Sequence, residues 1–361
     1  MDRIRLQPLT RARVGSLGAA GQAWLAGLPD LLAELERRWS VRIGRSLPGG
    51  SASYVAHAET ADGAPRVVKV VVPDPELADE SRVLRAARGR GYAILHGHDP
   101  TRRALLLEAL GRSLEATPLP PEDKLIVLAD TLRAAWALDL DAANPVARPH
   151  GADKDRASED GAGEDGGENK AGLLHRLVRV LDERLGHPVA RPVIVTALAY
   201  AERRAAAFDP AGCVVVHGDP HPANALRVPR PRSGAESGWC LVDPDGFRAD
   251  PAYDLGVAVR DWVGHLSGPD ARAVLEGYCA LLAGRTGIDE QRIWEWGYLE
   301  RVSTGLFVMS LGAHAVGLRY LTSAERLLGR AGCPAARPVT GSAGSGSGHE
   351  RSTGPPTGPA G

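Results

Sequence analysis

Five strand-like stretches near the start of the chain constrain its fold most strongly. They are rich in valine and other residues that favour strands, and turn residues such as Ala61-Asp62-Gly63 lie between them. Their bounds are residues 41–47, 52–58, 66–72, 92–95 and 104–108. Consecutive strands that are joined by such short turns pair in an antiparallel manner. The sequence therefore predicts a five-stranded antiparallel sheet.

Helical periodicity precedes, interrupts and follows this sheet. Apolar residues at helical spacing predict a helix over residues 22–39. Asp74 followed by Pro75 is typical of a helix start, so we expect one helix over residues 74–88, inserted between the third and fourth strands. Beyond a hinge at Gly111 the pattern is mostly helical. We predict an α+β fold with two lobes, a sheet lobe and a larger helical lobe.

The domain boundaries are predicted from these changes in pattern. They separate a helical extension (residues 1–40), the sheet lobe (41–110), the helical lobe (111–330) and a tail (331–361). Residues 142–170 include GADKDRASEDGAGEDGGENK, which has too few apolar side chains to offset its ordering entropy. We expect a flexible acidic insertion there. The Gly-, Ser- and Pro-rich tail is typical of disorder.

Charge and apolar content limit the partners that the chain is expected to have. The sequence has 43 basic and 44 acidic residues, so no excess charge favours nucleic acid or an anionic membrane as a partner. The four cysteines form no C-x-x-C pair, and no apolar run reaches the roughly 18 residues of a membrane span. These features predict a cytoplasmic protein that binds a small polar ligand.

A polar loop follows a short valine strand in the second lobe. Strand-like residues 214–216 lead into HGDPHPAN, in which Asp219 and Asn224 are five residues apart. The same separation joins the Asp and Asn of the protein-kinase catalytic loop, where the Asp orients the attacking hydroxyl and the Asn binds Mg²⁺. Asp243 follows another short strand, at 240–242. Three oxygen-bearing side chains suit a hard cation that also binds phosphates.

A different chemistry is possible for the same loop. His217, Asp219 and His221 form H-x-D-x-H, and Gly218-Asp219-Pro220-His221 resembles the first metal motif of metallophosphatases. Such a hydrolase needs further ligands, no G-N-H segment follows, and Asn224 would then have no role. We therefore favour structural roles for the two histidines, with His221 also able to touch substrate.

The sheet lobe contains a lysine that calls for an anionic partner. Lys69 interrupts a run of five valines, and a lysine that is buried in such a strand must be paired. Kinases pair a strand lysine with a helix glutamate in order to hold ATP phosphates. Glu80 is the expected partner here, and Asp79 competes for the role.

Two further segments are expected to contact a nucleotide. Small residues in the first hairpin, Gly50, Ser51 and Ser53, allow backbone amides to approach a phosphate. At the hinge, the backbone from Glu108 to Leu110 is placed to hydrogen-bond an adenine edge.

These motifs together resemble those of the aminoglycoside phosphotransferase family, the small-molecule branch of the protein-kinase-like fold. The resemblance extends over residues 35–328, and its most specific segments are VVHGDPHPANAL and LVDPDGFRADPAYDLGVAVRDW. The segments WSVRIGRSLPGGSASYVAHA and VVKVVVPDPELADESRVLRA are similar to the branch that contains streptomycin 6-phosphotransferase and hydroxyurea phosphotransferase.

The resemblance implies a role for each matching residue. Asp219 would be the catalytic base or hydroxyl-orienting group, Asn224 and Asp243 would bind Mg²⁺, Lys69 with Glu80 would position ATP, and Asp254 would brace the catalytic loop. The protein-kinase G-x-G-x-x-G is absent, as is common in this family, and Pro244-Asp245 follows the metal aspartate where relatives have Phe-Gly or Trp. Asp245 is therefore a candidate to share the Mg²⁺-binding role of Asp243 or to replace part of it.

The implied reaction is transfer of the γ-phosphoryl group of ATP to a hydroxyl of a small molecule. The expected acceptor is an aminoglycoside such as streptomycin, at its 6-hydroxyl, which would confer antibiotic resistance. A cationic acceptor suits carboxylates, and Asp261, Glu295 and Glu300 are the candidates. The alternatives are a kinase of hydroxyurea or another small metabolite, and a nucleotide-binding regulator without transfer activity.

Overall fold

The computed structural model of the protein describes residues 4–48, 50, 52–138 and 169–329. The helices in these ranges are α1 (Pro8–Ser16), α2 (Gly18–Trp39), α3 (Glu80–Ala87), α4 (Pro121–Trp136), α5 (Lys170–Arg184), α6 (Arg191–Ala206), α7 (Ala252–Arg260), α8 (Ala271–Thr286), α9 (Glu290–Ser310) and α10 (His314–Leu327). The strands are β1 (Val41–Ser46), β2 (Ser53–Thr60), β3 (Pro65–Val71), β4 (Leu95–Asp99), β5 (Ala104–Glu108), β6 (Val214–Val216), β7 (Ala225–Arg227), β8 (Trp239–Leu241) and β9 (Phe247–Ala249).

The sheet of the first lobe has the strand order β1-β2-β3-β5-β4, and every neighbouring pair is antiparallel. Side chains alternate between the two faces of a strand. On β3, Val68 and Val70 pack in a cluster with α1 and α2, whereas Val67 packs against the main core of the protein. Lys69 shares the face of Val67. The predicted α+β fold, with five antiparallel strands and one inserted helix, is confirmed.

The fourth strand lies three residues later than predicted, at Leu95–Asp99. The reason is that the strand-like residues before it pair with the other lobe. Tyr92 forms a parallel bridge with Leu241, and the N–H of Ala93 donates to Leu241 O at 3.0 Å. The backbone of Tyr92 and Ala93 is therefore bonded to Leu241 of the other lobe, and the sheet resumes only after these residues.

The inserted helix begins at Glu80 and not at Asp74. Asp79 is its N-cap, because its carboxylate accepts from the N–H of Ser81 at 3.1 Å. Asp74 instead caps a turn, where it accepts from the N–H of Glu76 at 3.0 Å, and it pairs with Arg13 at 2.7 Å. The Asp-Pro pattern identified a real backbone cap but not a helix.

Other differences concern short elements. Helix α1 was not predicted, and α2 begins at Gly18, four residues before the expected start. Strand β6 has the predicted bounds, and β9, which pairs with it, was not predicted. Asn169 caps α5 by accepting from the N–H of Gly172, so the last two residues of the predicted insertion belong to a helix start.

The rest of the predicted insertion and the tail lie outside the described residues, and the domain boundaries remain predictions. The helical lobe buries its apolar side chains in one large core, to which α4, α7 and α9 contribute. No helix in the described ranges combines the length and the apolar character that crossing a membrane requires.

Candidate active site

The polar loop after β6 is fixed by a buried, neutral histidine. His217 is fully buried; its Nε2–H donates to Val242 O at 2.8 Å, and its Nδ1 accepts from the N–H of Asp219 at 3.1 Å. Burial lowers the pKa of His217 to about 4, so the ring keeps the tautomer that this bonding requires. The histidine thereby joins the start of the loop to the segment that carries Asp243.

Asp254, in the first turn of α7, supports the same loop from behind. Its carboxylate accepts from the N–H groups of His217 and Gly218 at 2.8 and 2.9 Å, and from Trp136 Nε1–H at 2.8 Å. Burial raises the pKa of Asp254 to about 6, against the lowering effect of these hydrogen bonds. Three donors from two elements thus hold the loop in one conformation.

Gly218 permits the close approach of Asp245 to the loop. Its φ is +97°, and a Cβ built at this position would lie 2.6 Å from the Cβ of Asp245. Only glycine tolerates both conditions. The N–H of Asp245 also donates to His217 O at 2.8 Å, so Asp245 lies against the loop beside Asp219.

Asp219 projects into an accessible position, with 40% of its side chain exposed. Arg260 Nη2 lies 2.9 Å from Asp219 Oδ1, and His221 Nε2 lies 3.4 Å from Oδ2. Partial removal of the carboxylate from water opposes ionisation, but the charge of Arg260 and the contact with His221 outweigh it and lower the pKa of Asp219. Asp219 is therefore a carboxylate at neutral pH.

Asn224 and Asp243 lie beside this group. Asn224 Nδ2 donates to Asp219 O at 3.0 Å, whereas its amide oxygen accepts no hydrogen bond from the described residues. Asp243 has φ = +60°, a left-handed conformation that is uncommon outside glycine. The orientation of the Asp243 carboxylate thus depends on an uncommon backbone conformation, which the surrounding structure must stabilise.

The side chains of Asn224 and Asp243 fit a magnesium ion that is also bound by phosphates. Mg²⁺ prefers oxygen ligands and commonly binds through one or two protein side chains plus substrate phosphates. Among the described residues, no cluster of three or more His, Cys, Asp or Glu side chains is placed to hold a metal by itself. This donor set suits an ion that arrives with a nucleotide.

Lys69 connects the two lobes at this point. It is buried, its Nζ contacts Glu80 on α3, and it lies 2.7 Å from Asp243 Oδ1. Burial would lower the pKa of Lys69, but the charges of Asp243 and Glu80 raise it, so the lysine stays protonated. Asp79, the competing candidate, is occupied as the cap of α3.

The predicted nucleotide segments are described in part. Gly50 O accepts from Thr10 Oγ1 at 3.1 Å, Ser53 is buried at the start of β2, and Ser51 lies outside the described residues. At the hinge, the N–H of Glu108 is bound to Ile94 O at 2.8 Å. The N–H of Leu110 meets no acceptor in the described ranges.

Arg260 is a site residue that the sequence patterns did not predict. It contacts three carboxylates at once: Asp219, Asp261 at 2.8 Å, and Glu300 at 3.6 Å. Tyr320 Oη donates to Asp261 Oδ1 at 2.9 Å from the other side. The sequence did contain a signal for Arg260. It is a single cationic residue at the end of the apolar run of α7, just as Lys69 is a single cationic residue within a run of valines.

Glu295 does not join this group. It is 2% exposed, and its two carboxylate oxygens lie 2.8 and 2.7 Å from Arg203 and Arg204 of α6. An acceptor would have to displace two arginines in order to reach it. This placement argues against a contact between Glu295 and substrate, and the helical pattern gave no sign of its arginine partners.

Comparison with known proteins places the chain among small-molecule kinases. The family model described as aminoglycoside/hydroxyurea antibiotic resistance kinase matches residues 38–312. A streptomycin 6-kinase of Streptomyces glaucescens is 27% identical over 325 residues, which are 90% of this chain and 96% of that protein. A hydroxyurea phosphotransferase of Kitasatospora aureofaciens is 31% identical over 316 residues, which are 87% of this chain and 83% of that protein.

Solved structures agree on the fold. Plasmodium vivax ethanolamine kinase superposes with a TM-score of 0.51 at 12% identity, over 79% of this chain and 82% of that one. Aminoglycoside phosphotransferase APH(4)-Ia also gives a TM-score of 0.51, at 16% identity, over 84% of this chain and 99% of that one. The predicted protein-kinase-like fold is confirmed.

Proposed function

Because this chain belongs to the aminoglycoside/hydroxyurea antibiotic resistance kinase family, we propose that it transfers the γ-phosphoryl group of ATP to a hydroxyl of a small molecule. One observation carries the proposal. Lys69 of the sheet lobe lies 2.7 Å from Asp243 of the helical lobe, on the same loop assembly that presents Asp219 and Asn224. Groups suited to phosphates, a metal ion and a hydroxyl therefore meet where the lobes join.

In this proposal, Asp219 orients the acceptor hydroxyl. Its lowered pKa makes it a weak base in the resting state, so alignment of the hydroxyl comes before proton transfer. The bond from the acceptor oxygen to phosphorus forms as the bond to the leaving oxygen of ADP breaks, and the hydroxyl proton passes to Asp219. His217 and Asp254 keep the loop fixed, which preserves this alignment.

Lys69, held by Glu80, is proposed to bind the phosphates of ATP. Asn224 and Asp243 would hold Mg²⁺, which neutralises phosphate charge when it is bound. Gly50, Ser51 and Ser53 are proposed to approach the phosphates, and the backbone from Glu108 to Leu110 to bind adenine. A cytoplasmic location follows from the use of ATP as donor.

The first candidate acceptor is a cationic aminoglycoside such as streptomycin, phosphorylated at its 6-hydroxyl. Support comes from the streptomycin 6-kinases among the relatives and from Asp261 and Glu300, which lie with Asp219 around Arg260. Cationic groups of the acceptor would be attracted to these carboxylates. His221 is the further side chain within reach of an acceptor at Asp219.

A second candidate acceptor is hydroxyurea or another small uncharged metabolite. The observation in its favour is that Arg260 already pairs with Asp219, Asp261 and Glu300, so the carboxylates are partly neutralised before any acceptor binds. A compact acceptor does not need to displace the guanidinium. A nucleotide-binding regulator without transfer activity is the remaining alternative, and the accessible carboxylate of Asp219 argues against it.

The test is an acceptor screen with the full chain, ATP and Mg²⁺. ADP release is followed with streptomycin, other aminoglycosides and hydroxyurea, and the product is identified by mass. We expect one acceptor class to gain a phosphoryl group. Nucleotide binding without any phosphorylated product would contradict the proposal and favour the regulator.

A further inference from the structure

Arg232 of the helical lobe reaches across to the sheet lobe at the hinge. It lies in the loop between β7 and β8, residues 228–238, and its side chain is mostly buried. Its Nε and Nη2 donate to the two carboxylate oxygens of Glu108 at 3.0 and 2.8 Å. Such a bidentate pair fixes orientation as well as distance. Arg232 therefore holds the last residue of β5 from the opposite lobe.

The same guanidinium also holds the segment that follows α3. Nη1 donates to Gly89 O at 2.6 Å, and Nη2 donates to Tyr92 O at 3.0 Å. Residues 88–94 connect α3, which carries Glu80, to β4. One side chain thus joins the base of α3 to the end of β5.

The loop that carries Arg232 also supports the hinge itself. Leu110 packs against Val228, Ala235 and Cys240, which belong to this loop and to β8. The N–H of Gly91 donates to Gly234 O at 2.7 Å. The loop between β7 and β8, together with β8, thus makes both the apolar and the polar contacts near the hinge. The loop has no part in the proposed phosphate chemistry.

We propose that Arg232 is a positioning residue for the nucleotide, which fixes the hinge at Glu108 to Leu110 relative to Lys69 and Glu80. The proposal rests on the proposed function, because it takes the hinge as the adenine site. Loss of Arg232 would let the hinge and the base of α3 move independently. Nucleotide binding would weaken, whereas the acceptor groups around Arg260 would stay in place.

The test compares Arg232→Gln with wild type in nucleotide binding and in turnover. We expect the dissociation constant of a fluorescent ATP analogue and the KM for ATP to rise about tenfold, a change of about 1.4 kcal/mol. The KM for the acceptor should stay within about twofold. Arg232→Lys keeps the charge but loses the two parallel N–H donors of the guanidinium. Its dissociation constant for the ATP analogue and its KM for ATP should therefore lie between those of wild type and Arg232→Gln.

A matched control separates positioning from simple stabilisation. Arg102 of the sheet lobe makes a comparable paired contact with Glu34 of α2, and a second one with Asp99 at 3.0 Å, and both contacts lie away from the hinge. Arg102→Gln should lower the free energy of unfolding and leave ATP binding unchanged. Equal effects of Arg102→Gln and Arg232→Gln on ATP binding would overturn the proposal, as would unchanged ATP binding in Arg232→Gln.

Two further readouts keep the inference testable if Arg232→Gln fails to fold or if no acceptor is found. Glu108→Gln removes the same pair from the other side and should weaken binding of the ATP analogue in the same direction. Because binding of the analogue requires no turnover, its outcome is independent of the acceptor screen. If the acceptor screen finds no product but the variants bind the ATP analogue more weakly, only the transferase proposal is contradicted. If Glu108→Gln and Arg232→Lys bind the ATP analogue as wild type does, the positioning role of Arg232 is contradicted.

Discussion

Asp219 lies between Arg260 and His221, and this setting decides how it can act. Arg260 and His221 both stabilise the carboxylate, so its pKa lies below the ordinary value. A stronger base would abstract a proton earlier but would be protonated for more of the time. The structure therefore favours a group that aligns a hydroxyl and accepts its proton late in the reaction.

Replacement of Asp219 by Asn tests this role. Asn keeps the size of the side chain but cannot take the proton, and a general acid–base group typically contributes between about a hundredfold and ten-thousandfold to the rate. We expect kcat to fall by about a thousandfold or more, with KM for ATP and the unfolding midpoint little changed. Steady-state kinetics and thermal unfolding measure these quantities. A variant with near wild-type kcat would remove Asp219 from the mechanism.

His217 predicts a pH dependence of stability. Its pKa falls from 6.5 to about 4 on folding, so the unfolded chain binds more protons between these values. The stabilisation by neutral His217 is present above pH 6.5 and is lost as the pH falls towards 4. The loss between pH 7 and pH 5 is about 2 kcal/mol. Asp254, whose pKa is raised, contributes in the opposite direction and masks part of it.

Comparison with His217→Gln isolates this contribution. Gln retains a donor for Val242 O but does not titrate in this range. Denaturant unfolding at pH 7 and pH 5 should show that the stability advantage of wild type over the variant shrinks by about 2 kcal/mol on acidification. An advantage that is the same at both pH values would contradict a neutral, buried His217.

At the scale of elements, helix α1 supports the first hairpin. Thr10 is fully buried, and its hydroxyl lies 3.1 Å from Gly50 O and 3.3 Å from Ser53 O. Gln7 Nε2 donates to Leu47 O at 3.2 Å on the other side of the turn. The helix thereby binds carbonyl groups of the hairpin from outside the region that the family model matches.

Thr10→Val should reveal this support. Valine has nearly the shape of threonine but leaves the buried carbonyl oxygen of Ser53 without the hydroxyl donor, which costs about 1–3 kcal/mol. We expect a corresponding loss of unfolding free energy in denaturant titrations, and Thr10→Ser should recover most of it because the hydroxyl is restored. If valine and serine behave alike, the hydroxyl contacts make no contribution.

Helix α3 illustrates how a correct local signal can be assigned to the wrong element. Asp74 and Asp79 both accept hydrogen bonds from backbone N–H groups two residues later. Only after Asp79 does the chain continue as a helix, and Glu80, the first residue of that helix, pairs with Lys69 of β3. Cap chemistry is local, so it does not show which of the two caps begins a helix.

On the scale of the whole molecule, polar contacts join the two lobes around the site, in addition to an apolar core to which both lobes contribute. Lys69 with Asp243 forms one, and Arg232 with Glu108 forms another at the hinge. The segment around Tyr92 adds backbone pairing to Leu241. The proposed donor and acceptor groups are therefore aligned by contacts between lobes, and not by either lobe alone.

The sequence by itself determined the sheet, the helical lobe, the loop with Asp219 and Asn224, and the position of Asp243 after a later strand. These depend on spacing along the chain, because strand alternation, helical periodicity and a five-residue loop are local properties. The valine run around Lys69 likewise predicted a buried lysine that requires an acid. Local rules were sufficient wherever the partners are near in sequence or the residue type is itself unusual.

Only the tertiary structure decided which charged side chains meet. Arg260 and Asp219 are 41 residues apart, and Arg232 and Glu108 are 124 apart, so no spacing links them. Glu295 and Glu300 look alike in sequence, yet one pairs with α6 and the other lies near Arg260. A buried charge must find a counter-charge wherever packing brings one close, and packing depends on the whole chain.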